Sequence, residues 1–339
     1  MSDQNQQPTA VMMQLLGGLW LSQAICCAAE LGIADLLNSG PRDVAEIAKD
    51  LGANEDALYR LLKCLTAFGV FAQPAPRRFA LTPLGDTLRT DSPQSLRGVA
   101  RLHGHETFVR SWARLPYSVR TGKPSLDEVT GMTGFEVMEN DLELAAIFNE
   151  AMRSYSNSES EAILAMYDFS GIGTLADVGG GYGHLLAAVL GNYPEMKGVL
   201  FDLAHTVEGA RRTLADASIA NRVEIVTGDF FAGSPPPCDA VIMKHVIHDW
   251  TDEASIRILK SCAASLRPGG KLLLAEMVEP AGPVPHPAKL MDLQMLVLSP
   301  GGRQRNEAEF ASLFAQAGLR LVRVLSSPSP ISIIEGVLA

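Results

Sequence analysis

Cysteine is scarce and unpatterned in this 339-residue chain: Cys26, Cys27, Cys64, Cys238 and Cys262, with no C-x-x-C pair. An odd, dispersed set excludes a disulfide framework and a zinc spacing, so buried, inert thiols and no metal site are expected. Positive charge is also short. The 28 Lys+Arg face 38 Asp+Glu, a net charge of −10, which argues against a nucleic-acid partner, since phosphate-backbone binding needs a basic face. The N-terminus lacks the basic start of a signal peptide. The most apolar early stretch, Val11 to Leu37, is interrupted by Gln14, Ser22, Gln23, Glu30 and Asp35. No membrane span is expected from it, and a soluble cytoplasmic protein is the reading. Charged residues are only 19%, but hydrophobic residues make up 47%. That is enough for sizeable cores and excludes a disordered chain.

The length suggests about two domains, and the two halves differ in rhythm. Residues 11 to about 168 read as successive helices. Within them, Val44–Leu51 and Asn54–Ala67 flank a turn at Gly52, and Phe71–Phe79 follows with Pro74 and Pro76 at a hairpin tip. Helix, turn, helix and hairpin make a winged-helix pattern. Its second helix carries only Arg60 and Lys63 against Glu55 and Asp56, too little positive charge for a DNA reader. The Met12–Leu31 helix is apolar nearly all round, so it must be buried. A second copy of the chain is the natural cover, and a homodimer is expected.

From Thr174 onward, short aliphatic strands alternate with helices, the pattern of a parallel sheet with crossovers. Seven strands are predicted: Thr174–Val178, Lys197–Asp202, Arg222–Val226, Asp239–Met243, Lys271–Met277, Leu319–Leu325 and Ile331–Val337. The last two are too close for a crossover and should pair antiparallel. Before the fifth strand a helix starts at Thr251 and is expected to stop at Arg267-Pro268-Gly269-Gly270. The fold expected is α/β: a Rossmann-like seven-stranded sheet over 156–339, behind a mainly helical winged-helix dimerisation domain over 1–155.

The first strand runs into Asp177-Val178-Gly179-Gly180-Gly181-Tyr182-Gly183. A glycine-rich strand-to-helix turn lets a ligand approach the backbone. The dinucleotide pattern G-x-G-x-x-G fails here, ending on His184 or Leu186, and no Walker lysine follows. Asp202 ends the second strand, where a carboxylate can accept both ribose hydroxyls of an adenosine. Asp229 follows the third strand, beside Phe230 and Phe231, suited to an adenine amino group and face. Three acids at successive strand ends, a glycine loop and no phosphate motif fit S-adenosyl-L-methionine.

These motifs resemble the plant-type family of small-molecule O-methyltransferases, which includes caffeic acid, hydroxyindole and bacterial tailoring enzymes. The resemblance runs through Ala176–Gly183, Phe201-Asp202-Leu203, Gly228–Phe231, Lys244-His245-Val246-Ile247-His248-Asp249-Trp250, Ala275-Glu276, Gly301–Arg305 and Phe148–Met152. It implies cofactor contacts at Gly179, Asp202, Asp229, Phe230 and Lys244, and Asp177, Gly181 and Leu203 beside them are expected to join the cofactor site. It also implies a general base at His248, oriented by Glu276, and substrate contacts at Met152 and Met295. Phe108, Trp112 and Met291 join these as residues expected to shape the pocket for a small-molecule hydroxyl acceptor. His245 is read as structural.

One departure stands out. The family usually has an acid in its Gly-Gly-x-Glu-Arg-Thr block, where this chain has Gln304. An amide can hydrogen-bond imidazole but cannot stabilise its positive charge as a carboxylate would. Two other readings compete: a same-fold enzyme with altered chemistry (decarboxylation or hydroxylation), and a winged-helix regulator whose α/β half senses a ligand.

Overall fold

The computed structural model describes residues 7–339. Contacts divide the chain into two units, the first comprising residues up to Val109 and Met138–Tyr155, the second Arg110–Val137 and Ser156–Ala339. A single cut between 155 and 156 therefore misses an excursion. Residues 110–137 continue the helical rhythm of the first half but cluster with the sheet.

In the first unit, helix Val44–Leu51 starts with a capping box between Asp43 and Glu46 and ends at Gly52 in the left-handed conformation. Helix Glu55–Ala67 is capped by Asn54, whose side chain accepts from the Ala57 amide. A small sheet closes the motif, formed by β1 (Arg42–Asp43), β2 (Phe71–Ala75) and β3 (Arg78–Leu81) in the order β1-β3-β2. Val44, Ile47, Leu58, Leu62, Leu65, Phe71 and Phe79 bury their side chains together. This is the winged-helix arrangement.

The N-terminal helix runs Pro8–Glu30 and buries only Cys26, Ala28 and Ala29. Leu15, Leu16, Leu19 and Trp20 are exposed by 62–74%. The expectation that polar residues disqualify it as a membrane span is corrected. Gln14, Ser22 and Gln23 carry no charge, and with a mean hydropathy of 1.5 the helix is long and apolar enough to cross a membrane. The thiols are also more varied than expected: Cys27 and Cys64 are exposed.

The second unit is built on seven strands: β4 (Thr174–Val178), β5 (Lys197–Asp202), β6 (Val223–Thr227), β7 (Cys238–Lys244), β8 (Leu266–Glu276), β9 (Leu319–Ser326) and β10 (Ser332–Leu338). Their order is β6-β5-β4-β7-β8-β10-β9. β4 to β8 are parallel, and β10 pairs antiparallel with both β8 and β9. Central strands are covered on both faces, so β4, β7 and β8 read as near-continuous aliphatic runs. One core holds Val178, Val241, Leu272, Leu274 and Phe310, the other Leu175, Leu186, Ile242, Leu273 and Ile333.

The helix before β8 ends at Ala263, four residues before its expected stop begins. Arg267-Pro268-Gly269-Gly270 instead opens β8, where the pairing with β7 shifts register and Gly269 adopts φ 81°. Proline and glycine mark a bulge here. Strand order reverses between β4 and β7, and the crevice at the carboxyl ends there is where open α/β sheets bind ligands.

Candidate active site

The glycine loop leaves β4 with Gly179, Gly181 and Gly183 all at positive φ (68°, 59° and 75°). Each is a conformation L side chains rarely adopt. A Cβ on Gly180 would lie 2.6 Å from the Asp177 carboxyl and from Leu200, whereas the space facing Gly181 is open. The loop is thus packed beneath and accessible above, as a backbone-contacting ligand requires. Asp177 is 1% exposed with one oxygen unpartnered. Burial, aided by the Asp202 charge, pushes its carboxyl up to about 7.

Asp202 accepts the Gly181 amide at 2.8 Å and the Leu203 amide at 2.6 Å, one on each oxygen. These bonds are those of an ordinary turn former, but each carboxylate oxygen keeps a further acceptor position. Two hydroxyls can still be received. Leu203 is 42% exposed beside it. Asp229 accepts the Phe231 amide at 2.8 Å, and Phe230, Phe231 and Trp250 pack edge to face with centroids 4.8–5.9 Å apart.

Strand β7 delivers Lys244 and then a single turn, Ile247–Asp249. His248 is 8% exposed, with Nδ1 3.2 Å from Glu276 Oε2. Glu276 closes β8. Its other oxygen accepts the Ile247 and His248 amides at 2.9 and 3.3 Å, so the turn and its carboxylate are fixed together. Glu276 is fully buried. Burial would raise its carboxyl, but His248 and His245 outweigh that and hold it far below the usual range.

Gln304 Nε2 also lies 3.2 Å from His248 Nδ1. One nitrogen cannot donate to Glu276 and accept from the amide at once. The Glu276 carboxylate and the Gln304 amide thus compete for this nitrogen, and Glu276 Oε2 is left without a hydrogen bond. Asp249 Oδ1 lies 3.5 Å from the other ring nitrogen, His248 Nε2.

The 301–305 segment straps this turn. Arg303 donates its amide to the His248 carbonyl at 2.8 Å, and the Gln304 amide binds Asp292 at 2.8 Å. Arg305, 1% exposed, reaches the Ile247 and Trp250 carbonyls and Asp252.

Lys244, expected as a cofactor contact, is paired with an acid. Its Nζ is 3.2 Å from Glu159, which also holds His245 Nε2 at 2.7 Å. Glu159 belongs to helix Leu142–Met166. Burial would raise Glu159, but His245 and Lys244 hold it down at about 2. Glu159 and Asp292 carry no signal in the sequence, and Arg305 lies in the matched 301–305 block without a role that the block reveals. His245 stood inside the motif but was read as structural only.

Among the residues expected to shape the pocket, Met291 and Met295 sit one turn apart on helix Pro287–Leu298. Trp112 donates its indole N–H to Gln294 of the same helix at 2.6 Å. Phe108, 3% exposed, and Met152, 36% exposed, belong to the first unit.

The family model described as O-methyltransferase domain matches residues 112–320. The chain belongs to the O-methyltransferase family. A second model, O-methyltransferase dimerisation domain, matches residues 13–91 of this O-methyltransferase. It is 39% identical to phenazine O-methyltransferase PhzM of Lysobacter antibioticus, over 96% of this chain and 95% of the relative. It is 38% identical to the mitomycin biosynthesis 6-O-methyltransferase of Streptomyces lavendulae (95% and 92%), and 34% identical to aclacinomycin 10-hydroxylase RdmB of Streptomyces purpurascens (95% and 87%). The crystal structure of human N-acetylserotonin methyltransferase in complex with SAM covers the whole of both chains with a TM-score of 0.90 at 26% identity. The enzyme is an S-adenosylmethionine-dependent methyltransferase of the 2.1.1 class, and it fits that cofactor at the Gly181 opening, the free acceptor positions of Asp202 and the buried Asp177.

Proposed function

We propose that the enzyme methylates a hydroxyl of a small aromatic or polyketide-like secondary metabolite, with His248 as general base. The observation that carries the reading is the His248–Glu276 pair at 3.2 Å, held at the carboxyl end of β7 and β8. The relatives named for phenazine and mitomycin chemistry support the acceptor class.

Asp202 and Leu203 receive the ribose, Asp229 and Phe230 the adenine, and Gly179, Gly181, Asp177 and Lys244 line the remainder. The bound cofactor supplies an electrophilic methyl on a sulfonium. The protein's part is alignment of the acceptor oxygen, worth several kcal/mol by itself, and removal of its proton. A phenol ionises near ~10, so a base at His248 Nε2 raises the fraction of nucleophile at neutral pH. Glu276 fixes the Nδ1–H tautomer and stabilises the imidazolium that forms. Trp112, Met291 and Met295 are assigned to the acceptor, methionine suiting a flat ring through its adaptable thioether. Met152, expected on family likeness, and Phe108, expected on the sequence reading, belong to the first unit and stay expectations of the sequence.

We assign dimerisation to residues 1–155 and chemistry to 156–339, with 110–137 joining the latter. The exposed stripe Leu15, Leu16, Leu19 and Trp20 then faces a second copy, and the protein works in the cytoplasm as a homodimer rather than in a bilayer.

The hydroxylase among the relatives keeps one alternative in view: altered chemistry on the same fold. The intact His248–Glu276 pair opposes it. Incubation of phenolic and quinone-like acceptors with methyl-labelled cofactor decides the matter. Gain of one labelled methyl supports the proposal, and gain of one oxygen or loss of carbon dioxide refutes it.

A further inference from the structure

We propose that His245 is a positioning residue that keeps His248 neutral by taking, in its place, the proton that the buried carboxylates demand. The inference rests on the reading of His248 as base. Two ionised carboxylates, Glu159 and Glu276, are buried, and among the described residues the lysine ammonium paired with them is Lys244, 3.2 Å from Glu159. One more positive charge is called for, and two imidazoles compete for it. His245 touches both carboxylates: Nε2 is 2.7 Å from Glu159 and Nδ1 is 3.7 Å from Glu276. His248 reaches only Glu276 at depth, its other neighbours being the neutral Gln304 and the half-exposed Asp249. The proton therefore belongs to His245.

Among the described residues, the charged and titratable groups around the pair include Arg305, whose Nη1 binds the Ile247 carbonyl beside His248 while Nε and Nη2 bind Asp252. Helix Leu142–Met166 brings Glu159, β8 brings Glu276, and the shared turn brings Lys244 and Asp249. Beyond Lys244 stands Asp177 at the end of β4. Burial opposes charge on His245, but Glu159 and Glu276 outweigh it and raise the imidazole to about 9.

Two further observations tie this charge to His248. The rings stack, with centroids 4.9 Å apart and planes 29° apart, so a proton on one repels a second on the other. His245 also adopts φ 54°, a left-handed conformation uncommon for a non-glycine residue. Its amide is bound to the Ala275 carbonyl at 3.1 Å. Strained backbone of this kind persists where surrounding contacts over-determine it, and here it turns the imidazole in between two acids.

Without His245, the Glu276 charge would be balanced by protonating His248, which would silence the base at neutral pH. The test is the pH profile of kcat/KM for His245→Asn and His245→Lys, beside His248 imidazole signals followed by NMR through the same titration. His245→Asn should move the acidic limb, and the His248 midpoint, upward by about one to two pH units. Activity would be depressed on the acidic side and recovered at higher pH. His245→Lys keeps a cation and should leave the limb within a few tenths of a unit. Loss of turnover at every pH with an unmoved limb overturns the proposal, because a merely structural role predicts that. The wild-type enzyme provides a check that needs no variant to fold. At pH 7 its NMR signals should show His245 charged and His248 neutral, and the reverse order also overturns the proposal. The NMR midpoint reports on His245 even if His248→Ala turns out active, so failure of the base assignment and failure of this inference are distinguishable.

Discussion

Replacing Gln304 by glutamate restores the acid usual in the family and places a charge against His248 Nδ1. The present contact is 3.2 Å, so the new carboxylate would sit in direct reach. Opposite charges about 4 Å apart are worth roughly 4 kcal/mol at an effective dielectric of about 20. Two effects oppose this. The side chain is only 2% exposed, so its charge must be desolvated, and Glu276, already 3.2 Å from the same nitrogen, repels a second carboxylate. If a third to a half of the attraction survives, about 1.4–2 kcal/mol remains, or about one to one and a half pH units. The sign follows from the protonated form being favoured: His248 must lose its proton to act, so the acidic limb of kcat/KM moves upward. On the plateau above the limb, turnover of a weakly acidic phenol should hold or rise, because the imidazolium of the transition state is better stabilised. A pH profile of both forms is the assay. A limb that moves downward contradicts the contact, and an unmoved limb shows that Gln304 only packs.

Three other outcomes are expected. Asp202→Ala should weaken S-adenosylmethionine binding by calorimetry at least tenfold, since each hydrogen bond to a charged group is worth about 1.5–3 kcal/mol, and unchanged affinity would remove Asp202 from the site. Leu16→Asp with Trp20→Asp in the full chain should turn a homodimer into a monomer by light scattering, and a wild-type monomer at micromolar concentration would refute the dimer. Glu159→Gln should lower Tm most between about pH 4.5 and 6.5. Glu159 is depressed to about 2 and His245 raised to about 9, so the lost stability shrinks as pH falls toward 2 or rises past 9, and a pH-independent loss would contradict the pairing.

Much of the second unit was legible in the sequence because strand periodicity and turn chemistry are local. β4 and β5 match their expected bounds, and β9 and β10 pair antiparallel as the short connection requires. β8 began five residues earlier than expected because Pro268 and Gly269 signal a bulge as readily as a stop. The glycine loop, Asp202, His248 and Glu276 were legible because each sits at a strand end, where sequence order fixes position. Glu159 was not: an acid late in a long helix gives no sign of which strand end it will meet. Asp292 was hidden for the same reason, its partner lying 12 residues away, and Arg305, though inside the matched block, gives no sign of the carbonyl it meets 58 residues back. The 110–137 excursion escaped because helical rhythm alone does not reveal which core a helix joins.

The central claim is that His248 removes the acceptor proton, and turnover of His248→Ala tests it most directly. With an unactivated phenol at neutral pH, and cofactor affinity verified by calorimetry, kcat should fall by about 10²–10⁴-fold while the cofactor binds as before. Turnover within a few-fold of wild type would mean that alignment alone carries the methyl transfer and that the His248–Glu276 pair serves only to hold the turn.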